Sequence, residues 1–158
     1  MPDFLRPSWE ADRFPGRHVA RVGAQAGARN LGASVYELEP GAVGSPMHLH
    51  HANEELLIVL DGTVTLRGSG GTQLLGPGAV LAFPRGADGL HSLVNTSDAP
   101  VRYLVVSTAN VPDIVEYPDT GATLLVLDEQ RIAYPQGASA DQQPVVVEAM
   151  RVAAERAG

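Results

Sequence analysis

The chain contains no cysteine, and this absence excludes disulfide bonds and thiolate metal ligands. Charged residues are also few, at 18% of the chain, and no basic patch offsets the net charge of −7. We therefore expect neither a nucleic-acid partner nor an anionic membrane partner. No apolar run approaches the roughly 20 residues that a membrane-spanning helix needs. Residues 1–17 lack the apolar core of a secretory signal, so we expect a cytoplasmic protein.

The pattern of turns predicts an all-β fold. Seventeen glycines and twelve prolines divide a chain of 158 residues, which is long enough for one domain with a sizeable core. Turn signals recur roughly every 8–12 residues, a spacing typical of a β-barrel or β-sandwich. Strands are predicted over residues 18–22, 31–39, 56–60, 63–67, 72–75, 79–83, 92–95, 101–108 and 123–127.

The segments that flank this pattern are less regular. Residues 1–30 are expected to hold an irregular arm and the first strand, because three prolines in the arm each remove a backbone donor. Large apolar side chains in the arm either pack over one end of the core or reach a second subunit. Residues 31–128 would form the barrel, and residues 129–158 a tail that packs on it. Within the tail, residues 144–157 fit a short C-terminal helix, although their first residues equally fit a strand.

Three of the five histidines lie in residues 41–62, which read GAVGSPMHLHHANEELLIVLDG. His48 and His50 are two apart and would project from the same side of a strand. Glu54 or Glu55 follows at the start of an aliphatic strand that we expect to be buried on both faces. Two imidazoles and a carboxylate are a donor set typical of redox-active or Lewis-acidic first-row metals. The alternative is that these histidines are hydrogen-bonded or surface residues without a metal.

A second polar pair lies in residues 78–95, which read GAVLAFPRGADGLHSLVN. His91 and Asn95 would share one face of a strand in an otherwise apolar interior. Polar groups on such a face need a partner. A metal would satisfy His91, and a hydrogen bond would satisfy Asn95.

Together these two stretches resemble the cupin superfamily. Its first motif is Gly, five residues, His-x-His, three or four residues, Glu, six residues and Gly. Here the same order runs from Gly41 to Gly62 through His48-x-His50 and Glu55, with one extra residue before the first histidine. Six residues separate Glu55 from Gly62, as in the motif, so the resemblance selects Glu55 rather than its neighbour as the carboxylate ligand.

The second cupin motif is Gly, five residues, Pro-x-Gly, two residues, His, three residues and Asn. Here Pro84-x-Gly86 precedes His91 and Asn95, with two extra residues before the histidine. Both departures from the motifs fall in loops, where insertions are tolerated, and they leave the strand spacings intact. The resemblance covers residues 31–108.

The resemblance implies a double-stranded β-helix, or jelly-roll barrel, that holds one divalent metal on His48, His50, Glu55 and His91. Cupins commonly bind manganese, iron, nickel, zinc or copper, and this nitrogen and oxygen donor set does not choose among them. Cupins also commonly dimerise. An aliphatic strand over residues 56–60 with both faces buried would need a cover, so we expect a homodimer.

Cupins carry many functions, so the resemblance leaves the activity open. We expect a metal-dependent enzyme of the dioxygenase, isomerase or lyase type that acts on a small molecule inside the barrel. One alternative is a non-catalytic, metal-dependent binding or sensing module. Another is a storage or structural barrel, against which an intact set of four ligands argues. The candidate substrate-binding residues at the mouth and wall are Tyr36, Arg85, Asp88, Asn95 and Tyr103.

Overall fold

The computed structural model of the protein describes residues 1–128 and 130–135. Within them, short strands follow one another with little helix, as the turn pattern predicts. The strands are β1 (Arg17–Ala20), β2 (Leu31–Leu38), β3 (Leu49–His50), β4 (Glu55–Asp61), β5 (Val64–Gly68), β6 (Gly71–Leu75), β7 (Val80–Phe83), β8 (His91–Val94), β9 (Val101–Thr108), β10 (Asp113–Tyr117), β11 (Ala122–Val126) and β12 (Arg131–Tyr134). The helical segments are α1 (Val22–Gln25) and a 3₁₀ turn (Ala87–Gly89).

The described strands form three antiparallel sheets. Five strands pair in the order β1-β2-β9-β4-β7, four in the order β12-β11-β10-β3, and three in the order β6-β5-β8. Many neighbours are distant in the chain: β9 lies between β2 and β4, and β3 pairs with β10. Distant segments that wrap around each other in this way form a jelly-roll barrel, the fold that the resemblance implies. A backbone bridge between His48 and His91 joins two of the sheets.

Among the described residues, two apolar clusters fill the space between the sheets. The larger cluster combines side chains of the five-stranded and three-stranded sheets, including Leu57, Leu66 and Tyr103. The smaller cluster lies in the four-stranded sheet and includes Val115 and Leu124. The histidines of the two motifs lie where these clusters meet. An aromatic ring from each cluster contacts one of those histidines.

The outer face of β4 differs from the prediction. Side chains alternate along the strand, so Leu57 and Val59 are buried whereas Leu56 is 37% exposed. Ile58 is partly exposed on the same side as Leu56. The neighbouring strands cover the edges of β4 and leave its outward face open. In the single chain the strand is therefore buried on one face rather than on both.

Other differences concern the ends of the chain. The small residues after β1 form α1, which sequence reasoning did not predict, and Gly23 lies so close to Ala33 of β2 that a Cβ has no room. Strand β12 follows the strand that was expected to be the last. Residues 1–16 contain no strand beyond a single bridge between Glu10 and Val19. The expected C-terminal helix lies outside the described residues. Among the helices that are described, none has the length and apolar character needed to cross a membrane.

Candidate metal centre

Three histidines and one glutamate from three different sheets converge inside the barrel. His48 and His50 lie on either side of Leu49, so both rings project to the same side of the chain. His91 is the first residue of β8, and Glu55 is the first residue of β4. The backbones of His48 and His91 exchange two hydrogen bonds of 3.0 Å, which brings their ring centroids to 4.4 Å. The fold therefore assembles a site from residues that are far apart in the sequence.

Each imidazole is oriented by a hydrogen bond from its Nδ1 to an oxygen acceptor. The pairs are His48 with the Pro46 carbonyl at 2.9 Å, His91 with the Gly89 carbonyl at 2.8 Å, and His50 with the Asp113 carboxylate at 2.6 Å. Since these acceptors require a ring proton, Nε2 is the unprotonated nitrogen of each neutral ring. All three Nε2 lone pairs are then available to a ligand.

Those three Nε2 atoms surround the carboxylate of Glu55. The distances to its Oε2 are 3.9 Å from His48, 3.8 Å from His50 and 3.3 Å from His91. The ligand atoms of His48, His50 and Glu55 lie within 4.8 Å of one another, a spacing that one ion can bridge. Neutral imidazole and carboxylate donors fit a divalent first-row transition metal. His91 lies outside that set of three despite its approach to Glu55, so its role as a fourth ligand stays a prediction.

Burial keeps two of the imidazoles neutral. Burial, together with the neighbouring histidines, lowers the pKa of His48 well below its usual value. Burial also lowers the pKa of His91 to about 4, although the hydrogen bond to Gly89 acts in the opposite direction. The same burial raises the pKa of Glu55. At neutral pH His48 and His91 therefore carry the free lone pairs that metal ligation requires.

Local sequence explains why His91 is held so firmly. Gly89 lies against the backbone of Pro84, and a Cβ at this position would collide with the Pro84 carbonyl. The close turn places the Gly89 carbonyl 2.8 Å from Nδ1 of His91. In the same turn the N–H of Gly86 donates to the carbonyl of His50 at 2.8 Å. One loop thus supports two of the candidate ligands.

Sequence reasoning missed Asp113, whose carboxylate contacts His50. Asp113, Val115 and Tyr117 alternate along β10 and share its inward face. An acidic residue in an inward register needs a partner, and this signal was available in the sequence. Burial alone would raise the pKa of Asp113, but hydrogen bonds from His50, Asn53 and a backbone N–H lower it. The carboxylate is therefore charged at neutral pH.

The centre opens into a cavity of about 660 Å³. His48, His50 and Glu55 line it together with two phenols, Tyr36 and Tyr117. Burial raises the pKa of Tyr36 and raises the pKa of Tyr117 to about 12, so both remain protonated at neutral pH. Further lining groups are hydroxyls, amides and guanidiniums, among them those of Ser34, Ser107, Asn110, Arg29 and Arg131. The cavity therefore suits a small polar ligand.

Comparison with known families assigns the fold. A family model described as a cupin domain matches residues 34–107, which contain both histidine motifs. Residues 34–107 therefore form a cupin domain, and the protein has the cupin fold. The chain is 36% identical over 107 residues to germin-like protein 1 of Brassica napus, a match that covers 61% of this chain and 51% of the relative. The chain thus spans about half the length of that curated relative.

Solved structures share the cupin fold over more of the chain. A sugar phosphate isomerase of the cupin superfamily from Silicibacter pomeroyi has a TM-score of 0.79 and 27% identity, over 90% of this chain and 99% of that one. A polyketide cyclase from Streptomyces resistomycificus has a TM-score of 0.60 and 24% identity, over 72% and 82% of the two chains. The second likeness concerns the fold alone.

The candidate substrate-binding residues of this protein occupy different places. Tyr36 lines the cavity and stacks on Tyr103, with 5.3 Å between ring centroids. Tyr103 is 2% exposed and lies in the core behind Tyr36, outside the cavity lining. Arg85 and Asp88 are exposed on the loop before β8 and do not line the cavity, because that loop turns toward solvent.

The side chain of Asn95 has a structural role within the core. It is fully buried, and its amide nitrogen donates to the carbonyls of Leu38 and Ala99 at 2.9 and 2.8 Å. Its amide oxygen accepts the backbone N–H and the hydroxyl of Ser97. Asn95 thus holds the turn after β8 and lies away from the cavity, in contrast to its predicted contact with substrate.

Two residues that are adjacent in sequence to the candidate ligands, His51 and Glu54, point outward. The His51 ring is 46% exposed and contacts the Glu116 carboxylate at 2.6 Å. Glu54 is exposed; its backbone N–H donates to the hydroxyl of Thr108, and its backbone carbonyl accepts the N–H of Thr108. Of the two adjacent glutamates, Glu55 is the one that faces the histidines.

Proposed function

We propose that this protein is a metal-dependent enzyme that isomerises a small phosphorylated sugar inside its barrel. The observation that carries the proposal is the convergence of three imidazole Nε2 atoms on the carboxylate of Glu55 beside a polar cavity. A purely structural barrel does not need such a buried, oriented set of donors.

The lining of the cavity supports an anionic substrate. Its volume of about 660 Å³ is within the range of small-molecule sites. Arg29 and Arg131 line it and are exposed, whereas Arg21 is engaged by Glu10. Guanidinium groups bind phosphate oxygens through charge-assisted hydrogen bonds. The similarity to a sugar phosphate isomerase agrees with this substrate class.

The groups in the cavity support isomerisation. Conversion of an aldose into a ketose moves one hydrogen between adjacent carbons and one between their oxygens, so it needs no external oxidant. A divalent metal would supply Lewis-acid polarisation of those oxygens. Tyr36 and Tyr117 remain protonated and donate hydrogen bonds to sugar oxygens. Val115 and Leu124 supply an apolar part of the cavity wall.

Protein loaded separately with manganese, iron, nickel, zinc or copper should be incubated with aldose and ketose phosphates and followed by NMR. We expect interconversion of one aldose phosphate and its ketose with at least one of these metals. Metal-free protein and the Glu55→Gln variant should be inactive. Arg29→Gln should raise KM for the phosphorylated sugar more than for the unphosphorylated sugar.

Other outcomes would contradict the isomerase proposal. Oxygen consumption with phenols or diketones would indicate a dioxygenase. Saturable, metal-dependent ligand binding without turnover would indicate a binding or sensing module.

A further inference from the structure

Asp113 is the first residue of β10 and lies beyond residues 34–107, the part that the cupin family model matches. It is buried, with 2% of its surface exposed. Its Oδ2 accepts hydrogen bonds from Nδ1 of His50 at 2.6 Å and from Nδ2 of Asn53 at 2.9 Å. Its Oδ1 accepts the backbone N–H of Ala52 at 2.8 Å. One buried carboxylate thus organises the segment that carries a candidate ligand.

Asn53 holds this carboxylate in place. Its Oδ1 accepts the backbone N–H of Asn110 at 2.7 Å and the hydroxyl of Thr108 at 2.9 Å. Its Nδ2 donates to the Asn110 carbonyl at 3.0 Å as well as to Asp113. Asn53 is itself 8% exposed, and both polar atoms of its amide are used. This network of hydrogen bonds through Asn53 therefore fixes the orientation of the Asp113 carboxylate toward His50.

The three imidazoles of the centre differ in the acceptor at Nδ1. His48 and His91 donate to uncharged backbone carbonyls. His50 donates to a carboxylate, and hydrogen bonds to charged acceptors are shorter and stronger. A carboxylate behind a metal-binding imidazole fixes the ring tautomer and raises the basicity of the opposite nitrogen. His50 is therefore electronically distinct from the other two histidines.

We propose that Asp113 is a positioning residue that selects the Nδ1–H tautomer of His50 and makes its Nε2 the strongest nitrogen donor of the centre. The role rests on the metal centre of the proposed function and not on the isomerase reaction. Asp113 acts through His50. Its effect is therefore measured on the His50 tautomer and on metal binding rather than on turnover of a substrate.

Nitrogen-15 NMR of the metal-free wild-type protein tests the tautomer without any substitution. We expect the Nδ1 of neutral His50 to carry the proton, and its Nε2 to show the shift of an unprotonated nitrogen. A neutral His50 ring protonated at Nε2 would overturn the proposal. This measurement also decides the question if a variant at position 113 fails to fold.

The Asp113→Asn variant tests the effect on the metal. It removes the charge with little change of shape, and we expect the Kd for zinc to rise about 10- to 100-fold. The visible absorption of the cobalt-loaded protein should change as well, because the donor strength of one ligand changes. Unchanged zinc affinity and cobalt absorption in a folded variant, with folding checked by circular dichroism, would overturn the proposal.

Glu116→Gln is the matched control. Glu116 lies on the same strand and contacts a histidine, His51, at the same distance of 2.6 Å, but that pair is exposed and outside the centre. This variant should leave zinc affinity and the cobalt spectrum unchanged. Both measurements use metal alone, so absence of isomerase activity has no bearing on them. Wild-type protein that binds no metal would overturn the centre itself.

Discussion

The Phe83 ring lies parallel to the His91 imidazole, with 3.7 Å between ring centroids and 3° between ring planes. Phe83 is also the register partner of Glu55 across strands β4 and β7. Since Phe83 belongs to the larger apolar cluster, the orientation of His91 depends directly on core packing. Core stability and metal affinity should therefore change together at this position.

Phe83→Leu should lower the free energy of unfolding of the metal-free protein by about 1–2 kcal/mol, because it removes a buried aromatic contact. Metal affinity should fall too, since the His91 ring gains freedom to rotate. Urea unfolding and metal titration measure the two effects. Leu74→Ala in the three-stranded sheet is the control: Leu74 is 70% exposed, and the change in stability should stay below about 0.5 kcal/mol. Equal stability of Phe83→Leu and wild type would show that the stack contributes nothing.

Glu55→Gln should weaken metal binding by roughly 1–3 kcal/mol, because a neutral amide replaces a charged oxygen donor. Glu54→Gln and His51→Ala should leave the metal content nearly unchanged, since both side chains point outward. Elemental analysis of bound metal per chain compares the three variants. An empty site in either control, with Glu55→Gln still loaded, would contradict the arrangement of ligands described above.

Removal of the metal should lower the melting temperature. The ligands lie on three sheets, so an ion bound only to the folded state stabilises it by roughly 4 kcal/mol at a free concentration a thousand times its Kd. For a domain of this size, that corresponds to a decrease of about 8–16 °C on chelation. Thermal unfolding followed by circular dichroism gives the value. An unchanged melting curve after elemental analysis confirms complete removal would refute this prediction.

The metal-free protein should lose stability as the pH falls from 6.5 toward 4. Burial lowers the pKa of His91 from 6.5 to about 4, so between these values the unfolded chain binds a proton that the folded chain does not. Protonation then favours unfolding, and stability that is fully present above pH 6.5 is lost as the pH falls. The difference corresponds to about 3 kcal/mol. Urea unfolding across this pH range measures it.

Two variants show whether His91 causes this pH dependence. His91→Asn should have a flatter pH dependence of stability than wild type. His18→Asn serves as the control, because the His18 side chain is 47% exposed. An identical pH dependence in wild type and His91→Asn would assign the effect to other groups.

We propose that the protein is a homodimer in which the outward face of β4 meets a second copy. Leu56 and Ile58 on this face are in register with Val106 and Leu104 of β9, and Ile58 also with Val80 of β7. The pairs form an apolar surface across three strands, and its burial would favour association. Light scattering at micromolar concentration should show a dimer.

Ile58→Glu should convert that dimer into a folded monomer, because a charge in the interface opposes association. Leu74→Glu is the control, since Leu74 is 70% exposed in the three-stranded sheet, on a different part of the surface. A wild-type protein that is monomeric at this concentration would reject the proposal.

Much of the barrel could be predicted because its strands and turns are determined by residues that are close together in the sequence. Alternation and turn residues placed β2 and β9 almost residue by residue, and motif spacing identified Glu55 over Glu54. Contacts between distant strands could not be predicted in this way. The pair of His50 and Asp113 spans 63 positions and exists only because β3 pairs with β10.

The direction in which a loop turns could not be predicted from the sequence either. The two extra residues before His91 indicated a longer loop, but not that Arg85 and Asp88 would turn toward solvent. The aliphatic run in β4 indicated that the strand is buried. It did not distinguish the face that packs inside the barrel from the outward face that a single chain leaves exposed. These features depend on the arrangement of whole sheets.

Strand β3 consists of two residues, and the described strand it pairs with is β10. A fragment trimmed to residues 34–107 would retain His48, His50, Glu55 and His91, yet the partner of β3 would be missing. Transplanting the two histidine motifs alone into another scaffold would therefore transfer the candidate ligands without the strand that supports His50. A transplant that keeps this support must extend through residue 117, ten residues beyond the end of the match to the family model.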